Sequence, residues 1–330
     1  MAPLLAFNNK GIYCEAGDFY IDPWKAVDRA VITHGHSDHA KRGMKSYLAH
    51  RDSEPILRLR LGKNIQLETV AYDEPVMING VKVSLHPAGH IIGSAQVRVE
   101  YKGEIWVASG DYKIEDDGLT PPFEPIRCHA FISETTFGLP VYRWRPQEEV
   151  LAAINAWWAQ NAAEGRPSVI HAYALGKAQR LLQSVDPSIG PLMTHSTVEN
   201  VNEAFREIGW NLNKTTRITA AHKAADFQQA LIVAPGSAIK GRLEAKLGDY
   251  SLGMVSGWMA HRKGRFRRPA DRGFVLSDHA DWDGLNEAIR ATGAEKIILT
   301  HGYASAFARW LRSQGLDAQV EASEFEGEEN

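Results

Sequence analysis

Through the first 145 positions, apolar residues come in short runs, several alternating with polar neighbours, and several of them end on Ser, Asp or His. Period-two alternation of this kind predicts half-buried strands. They fall at Gly11–Cys14, Phe19–Ile21, Ala30–Ile32, Ile65–Val70, Val81–Leu85 and Ala130–Ile132. Val97–Tyr101 and Glu104–Val107 form a hairpin that turns at Lys102-Gly103. Ser53–Leu61 carries Pro55 in its first turn and reads as a helix.

After Pro146 the period lengthens. Gln147–Asn161 places Val150, Leu151, Ile154, Trp157 and Trp158 at helical spacing, and the two tryptophans read as packing residues rather than a base-stacking platform. The strand Ser168–His171 leads into a helix that opens near Gly176-Lys177, where unpaired N–H groups and the helix dipole suit a phosphate. Leu231–Ala234 begins a similar unit through Ser237. The pattern then returns to strands followed by polar loops at Gly273–Leu276 and Lys296–Leu299. The expected organisation is an α/β protein with one discontinuous domain, 1–145 with 272–330, and an inserted domain, 146–271.

A chain of 330 residues with 44% hydrophobic side chains can bury a large core, and its net charge of −3 confines any polyanion-binding surface to a local patch. Cys14 and Cys128 exclude a disulfide framework and read as buried thiols of a reducing compartment. No basic leader and no apolar run long enough to span a bilayer is present, so a cytoplasmic location and no membrane partner are expected.

The chemistry concentrates where strands end. Thr33-His34-Gly35-His36-Ser37-Asp38-His39 packs three imidazoles and a carboxylate into one loop, which packing alone does not explain and which zinc-type ions accept as ligands. His90 sits in Gly-His-Ile-Ile-Gly-Ser, Asp111 in Ser-Gly-Asp, and His301 in Thr-His-Gly. The nearby His86, on a strand end before a proline, reads as structural or as a support for a ligating residue. Two divalent ions sharing one carboxylate need this supply. His34, His36 and His90 would serve one ion, Asp38, His39 and His301 the other, with Asp111 between them. Zinc is the expected metal and manganese the alternative. A metal-bridging hydroxide would then be the nucleophile, with His279, supported by Glu134, as general acid. The rival reading of His279 is a capping residue on a surface loop. Asp22, between an apolar strand and Pro23, reads equally as a turn residue or as a carboxylate that orients a ligating imidazole.

Taken together, these motifs resemble the metallo-β-lactamase superfamily. The Glu134, His279 and His301 segments, with an insertion between the first two, resemble its β-CASP nuclease branch. Gly11–Trp24 together with Ser-Glu-Thr-Thr-Phe-Gly-Leu-Pro at 133–140 is similar to bacterial ligase-associated DNA exonucleases. The resemblance implies an αββα sandwich with an inserted α/β cap covering the metal cleft. It also implies Asp22 as the orienting carboxylate and a place in DNA repair beside a ligase and a helicase. His301 matches the RNA-processing members, so the motifs leave DNA against RNA open.

Expected backbone contacts are Ser94, Thr135, Lys177, Arg180, Ser237 and the basic run 262–268 with Arg262 and Arg265. The resulting expectation is a two-metal DNA exonuclease. An RNA nuclease of the ribonuclease J type, a small-molecule ester or thioester hydrolase of the same superfamily, and a non-catalytic scaffold are its rivals.

Overall fold

The computed structural model describes residues 3–261 and 270–324 and divides into two units, one formed by the chain up to Pro140 and again from His279, the other by Val141–Asp278. In the first unit the alternating strands build two sheets. One runs in sequential order through Ala6–Asn8, Gly11–Cys14, Phe19–Ile21, Arg29–Val31, Ser46–His50 and Leu67–Val70. It is antiparallel up to Phe19–Ile21 and parallel beyond. The other is ordered Asp317–Val320, Lys296–Leu299, Ala130–Ser133, Glu104–Ala108, Ala95–Tyr101, Val81–Pro87, Val76–Ile78. Its hairpin strands are antiparallel, and Glu104–Ala108 begins the parallel half.

The period-two pattern sorts side chains between layers. Val81, Val83, Leu85, Val97 and Val99 share one core with Ile12, Phe19, Ile21 and Val31, so the two sheets pack face to face. The opposite faces are closed by helices. Ala30, Ile32 and Ala49 pack with Leu57 of the helix Glu54–Leu61. Phe131, Ile297 and Leu299 pack with Trp282, Leu285 and Ile289 of Trp282–Thr292 and with Phe307 and Leu311 of Ala304–Ser313. Trp282–Thr292 has defined ends: Asp281 accepts from Gly284 N–H at 2.8 Å, and Gly293 closes the helix at φ 60°.

The second unit is a six-stranded parallel sheet in the order Thr216–Arg217, Leu192–Thr194, Leu231–Ala234, Ser168–His171, Ser251–Val255, Arg272–Phe274. Leu231–Ala234 is buried along its whole length, as a strand covered on both faces must be. Trp157 and Trp158 lie in this unit's core, and Trp158 Nε1 donates to Gln229 O at 2.9 Å. The strand Arg272–Phe274 pairs with Ser251–Val255 here, and this unit runs on to Asp278. Sequence periodicity identifies such a strand but not the sheet it joins.

Both cysteines are buried free thiols. Among the described residues no helix is long and apolar enough to cross a membrane.

Candidate metal centre

Three parallel strands, Glu104–Ala108, Ala130–Ser133 and Lys296–Leu299, end at one edge of their sheet and deliver Asp111, Glu134 and His301. The facing sheet delivers His34 from Arg29–Val31, and Ala95 N–H donates to Thr33 O at 2.8 Å where the two edges meet. Gly110 allows this approach: its φ is +58°, and a Cβ there would stand 2.7 Å from the Thr33 side chain.

One donor atom from each of His34, His36, His90 and Asp111 lies within 4.8 Å of the others. His34 Nε2 is 3.4 Å from Asp111 Oδ2, and His90 Nε2 is 3.8 Å from the same oxygen. His36 Nδ1 is 3.1 Å from His90 Nε2. The other oxygen, Asp111 Oδ1, faces His39 Nε2 at 3.5 Å and His301 Nε2 at 3.3 Å. Asp38 Oδ2 lies 3.6 Å from His39 Nε2. The seven side chains therefore meet, with Asp111 common to both groups.

The rings are held by neighbours that orient them. The Thr33 hydroxyl donates to Asp22 Oδ2 at 2.5 Å and can only accept at His34 Nδ1, 3.0 Å away, which leaves the lone pair of His34 on Nε2. Thr300 repeats the device: its hydroxyl donates to Ser133 O at 3.3 Å and lies 3.1 Å from His301 Nδ1. Asp22 takes His39 Nδ1 at 2.7 Å and Thr33 N–H at 2.8 Å, from a backbone at φ 43°. It is thus a turn residue and a ring-orienting carboxylate at once. The threonines escaped the sequence reading, although a Thr precedes the His in both Thr-His-Gly segments.

Protonation in this pocket follows burial and charge. Burial first, then the charge of His39, hold the His34 imidazole well below its usual range. Burial also pushes His39 down, but the Asp111 and Asp38 carboxylates outweigh it and hold that ring well above the usual range. For Asp111, burial is outweighed by His39, His301 and His34, and the carboxyl stays well below the ordinary value. The donor set suits a cation: His34 Nε2 and Asp111 Oδ1 are buried with no hydrogen-bond partner among the described residues, and an imidazole–carboxylate mixture is what zinc-type ions bind.

His279 stands beside this cluster, its ring centroid 4.7 Å from that of His90. Its Nδ1 is 2.9 Å from both Glu134 oxygens. Glu134 is buried and also accepts from Tyr112 N–H at 2.7 Å and from the Thr136 hydroxyl. His279 is itself 1% exposed, so it is not the surface cap of the rival reading.

The expected substrate contacts fare differently. Ser94 is buried, and its Oγ accepts from His90 N–H at 3.1 Å and Ile91 N–H at 3.2 Å, closing the turn that presents His90. Thr135 is buried and donates to Thr300 O at 2.9 Å and to His301 O. Lys177 is 2% exposed, with its Nζ 6.0 Å from the Tyr173 ring centroid. Arg180 is 3% exposed; its guanidinium bonds Gln147 Oε1 at 2.6 Å, Asp278 Oδ1 at 3.2 Å and Ser277 O. All four are buried, and Ser94, Thr135 and Arg180 are engaged by hydrogen bonds within the chain, because a hydrogen-bonding side chain near a loop serves its own backbone as readily as a ligand. Ser237 is exposed in the turn after Leu231–Ala234. Arg262 and Arg265 lie outside the described residues.

No family model matches the chain. It is 27% identical over 311 residues, 93% of its length, to a protein of Opitutus terrae named "Probable DNA ligase". It is 23% identical over 305 residues, 74% of its length, to Endoribonuclease YSH1 of Saccharomyces cerevisiae. Identity rises to 30% over 125 residues, 37% of the chain, with cleavage and polyadenylation specificity factor subunit 3 of Dictyostelium discoideum. The chain spans 30%, 38% and 16% of the lengths of those three relatives. Among solved structures, a protein of unknown function from Enterococcus faecalis V583 superposes with a TM-score of 0.62 over 90% of this chain and 80% of that one, at 9% identity, a likeness of fold.

Proposed function

We propose that this chain is a metal-dependent phosphodiesterase of the β-CASP nuclease branch of the metallo-β-lactamase superfamily, and that it degrades DNA as an exonuclease. On this reading the two-sheet unit with helices on its outer faces is the superfamily's αββα sandwich, and the parallel-sheet unit is the inserted cap. The observation that carries the proposal is the meeting of two groups of donors on Asp111 with a buried His–Glu pair beside them.

His34, His36 and His90 would hold one divalent ion and Asp38, His39 and His301 a second, with Asp111 shared; zinc is the metal proposed. Such a pair, when bound, supplies Lewis acidity and an activated water at neutral pH. The chain's own residues do the rest. Asp22, Thr33 and Thr300 fix the ring orientations. Glu134 accepts the Nδ1–H of His279 and stabilises its imidazolium, so that Nε2 hands a proton to the departing oxygen of a phosphodiester. A thioester or lactone has less need of such an acid, which favours the nuclease over the small-molecule hydrolase.

Similarity along 93% of the chain to a protein named as a DNA ligase supports DNA as substrate and a task beside strand joining in repair. The endoribonuclease names of other relatives, together with His301, support the second reading, an RNA nuclease. Digestion of end-labelled single- and double-stranded DNA and RNA by zinc-reconstituted protein separates the two. Progressive shortening of DNA is expected; RNA cut as fast or faster would overturn the DNA assignment. No cleavage of either would overturn the nuclease.

A further inference from the structure

Away from Asp111, one donor atom from each of Asp73, His86 and Glu124 lies within 4.8 Å of the others. His86 closes the strand Val81–Pro87, with Nδ1 2.7 Å from Asp73 Oδ1 and Nε2 2.9 Å from the hydroxyl of Ser84 on the same strand face. Serine, imidazole and carboxylate stand in the order of a hydrolytic triad. Ser84, however, is 5% exposed in mid-strand and offers no nucleophile to a substrate. The carboxylates are the accessible part: Asp73 and Glu124 are both exposed.

We propose that Asp73, His86 and Glu124 form a peripheral binding site for one borderline divalent cation of the Zn²⁺ or Mn²⁺ kind, distinct from the Asp111 cluster. An imidazole nitrogen and two carboxylate oxygens are donors such ions accept, and the two negative charges offset the ion's own. The Ser84 hydroxyl can donate to Nε2 or accept from it, so the His86 proton can move to Nε2 and leave the Nδ1 lone pair facing the carboxylates. The strand beside His86 also carries a buried polar side chain. Gln96 lies directly across from His86 in the strand register and is fully buried. Its Nε2 donates to Glu124 O at 2.7 Å and Pro87 O at 2.8 Å, while its Oε1 has no hydrogen-bond partner among the described residues.

The site sits where an ion would stiffen the approach to His90. Three successive carbonyls before that residue are held by the segment 113–124: Pro87 O by Glu124 N–H at 3.3 Å, Ala88 O by Lys113 N–H at 3.0 Å, and Gly89 O by the Thr120 hydroxyl at 3.0 Å. The packing is close, since a Cβ on Gly89 (φ +73°) would lie 2.2 Å from Lys113 O. A cation joining Asp73, His86 and Glu124 ties both ends of this fastening to the loop before the strand.

The test is a count of ions after equilibrium dialysis against Zn²⁺ at neutral pH, read by elemental analysis for the wild type, Asp73→Asn and Glu124→Gln. Both substitutions are near-isosteric and on exposed side chains. The wild type should hold one ion per chain more than either variant. An Asp111→Ala chain should retain that ion, and adding Glu124→Gln should remove it, which separates this site from the nuclease centre whatever that centre holds. Equal counts in the wild type and both single variants, or no ion left in Asp111→Ala, overturns the proposal.

Discussion

The Nδ1 atom of His279 lies 2.9 Å from each carboxylate oxygen of Glu134. A carboxylate so placed fixes which nitrogen of the ring faces outward and stabilises its charged form. His279→Ala should therefore leave metal content unchanged while lowering kcat on an oligonucleotide by about 10²- to 10⁴-fold, the range for a lost general acid. Full activity in His279→Ala would remove it from the reaction.

Asp111 faces both groups of imidazoles, through Oδ2 towards His34 and His90 and through Oδ1 towards His39 and His301. Asp111→Ala should abolish nuclease activity and cut the zinc content of that centre together. A variant that kept its ions and lost only turnover would place Asp111 in the chemistry rather than in metal binding.

Thr33 and Thr300 each present a hydroxyl at about hydrogen-bond distance from the Nδ1 of the histidine that follows, at 3.0 and 3.1 Å. Thr33→Val and Thr300→Val keep shape and lose this restraint. Each should weaken zinc affinity by about 10- to 100-fold, as measured by chelator competition, with the fold intact by circular dichroism.

Arg180 and Asp278 form an ion pair in which both side chains are 3% exposed. Arg180→Met should destabilise the chain by about 3–5 kcal/mol in urea titration, and Arg180→Met with Asp278→Leu should recover most of that loss. A phosphate-contacting Arg180 would instead lower the salt slope of DNA binding by about 1 without unfolding the chain.

His50 carries the pH prediction. Burial, then the Arg51 charge, depresses its imidazole from the usual 6.5 to about 4. Its neutral Nδ1 accepts from Asp52 N–H at 3.3 Å, and its ring stacks on Tyr72 at 3.6 Å. Between these two values the unfolded chain binds more protons than the folded one, so the contribution is present above pH 6.5 and is lost as pH falls towards 4. From pH 7 to pH 5 the wild type should lose about 2 kcal/mol more than His50→Gln in urea titrations.

The sequence by itself determined the local facts. Alternating or continuous apolar runs located the strands around Gly11–Cys14, Val81–Leu85 and Lys296–Leu299, and the helices Glu54–Leu61 and Gln147–Ala163 were legible from spacing and Pro55. The metal-type donors were legible because imidazoles and carboxylates crowd at strand ends, a density that packing does not need. Tertiary structure alone decided what each polar side chain faces. Ser94, Thr135 and Arg180 carry the same functional groups that would grip a phosphate, yet they close a turn, a loop and an ion pair. The pairing of Arg272–Phe274 with the second sheet and the gathering of Asp73 and Glu124 around His86 depend likewise on long-range approach. Pattern along a chain reports which face is buried; distance between remote segments is set only when the sheets close.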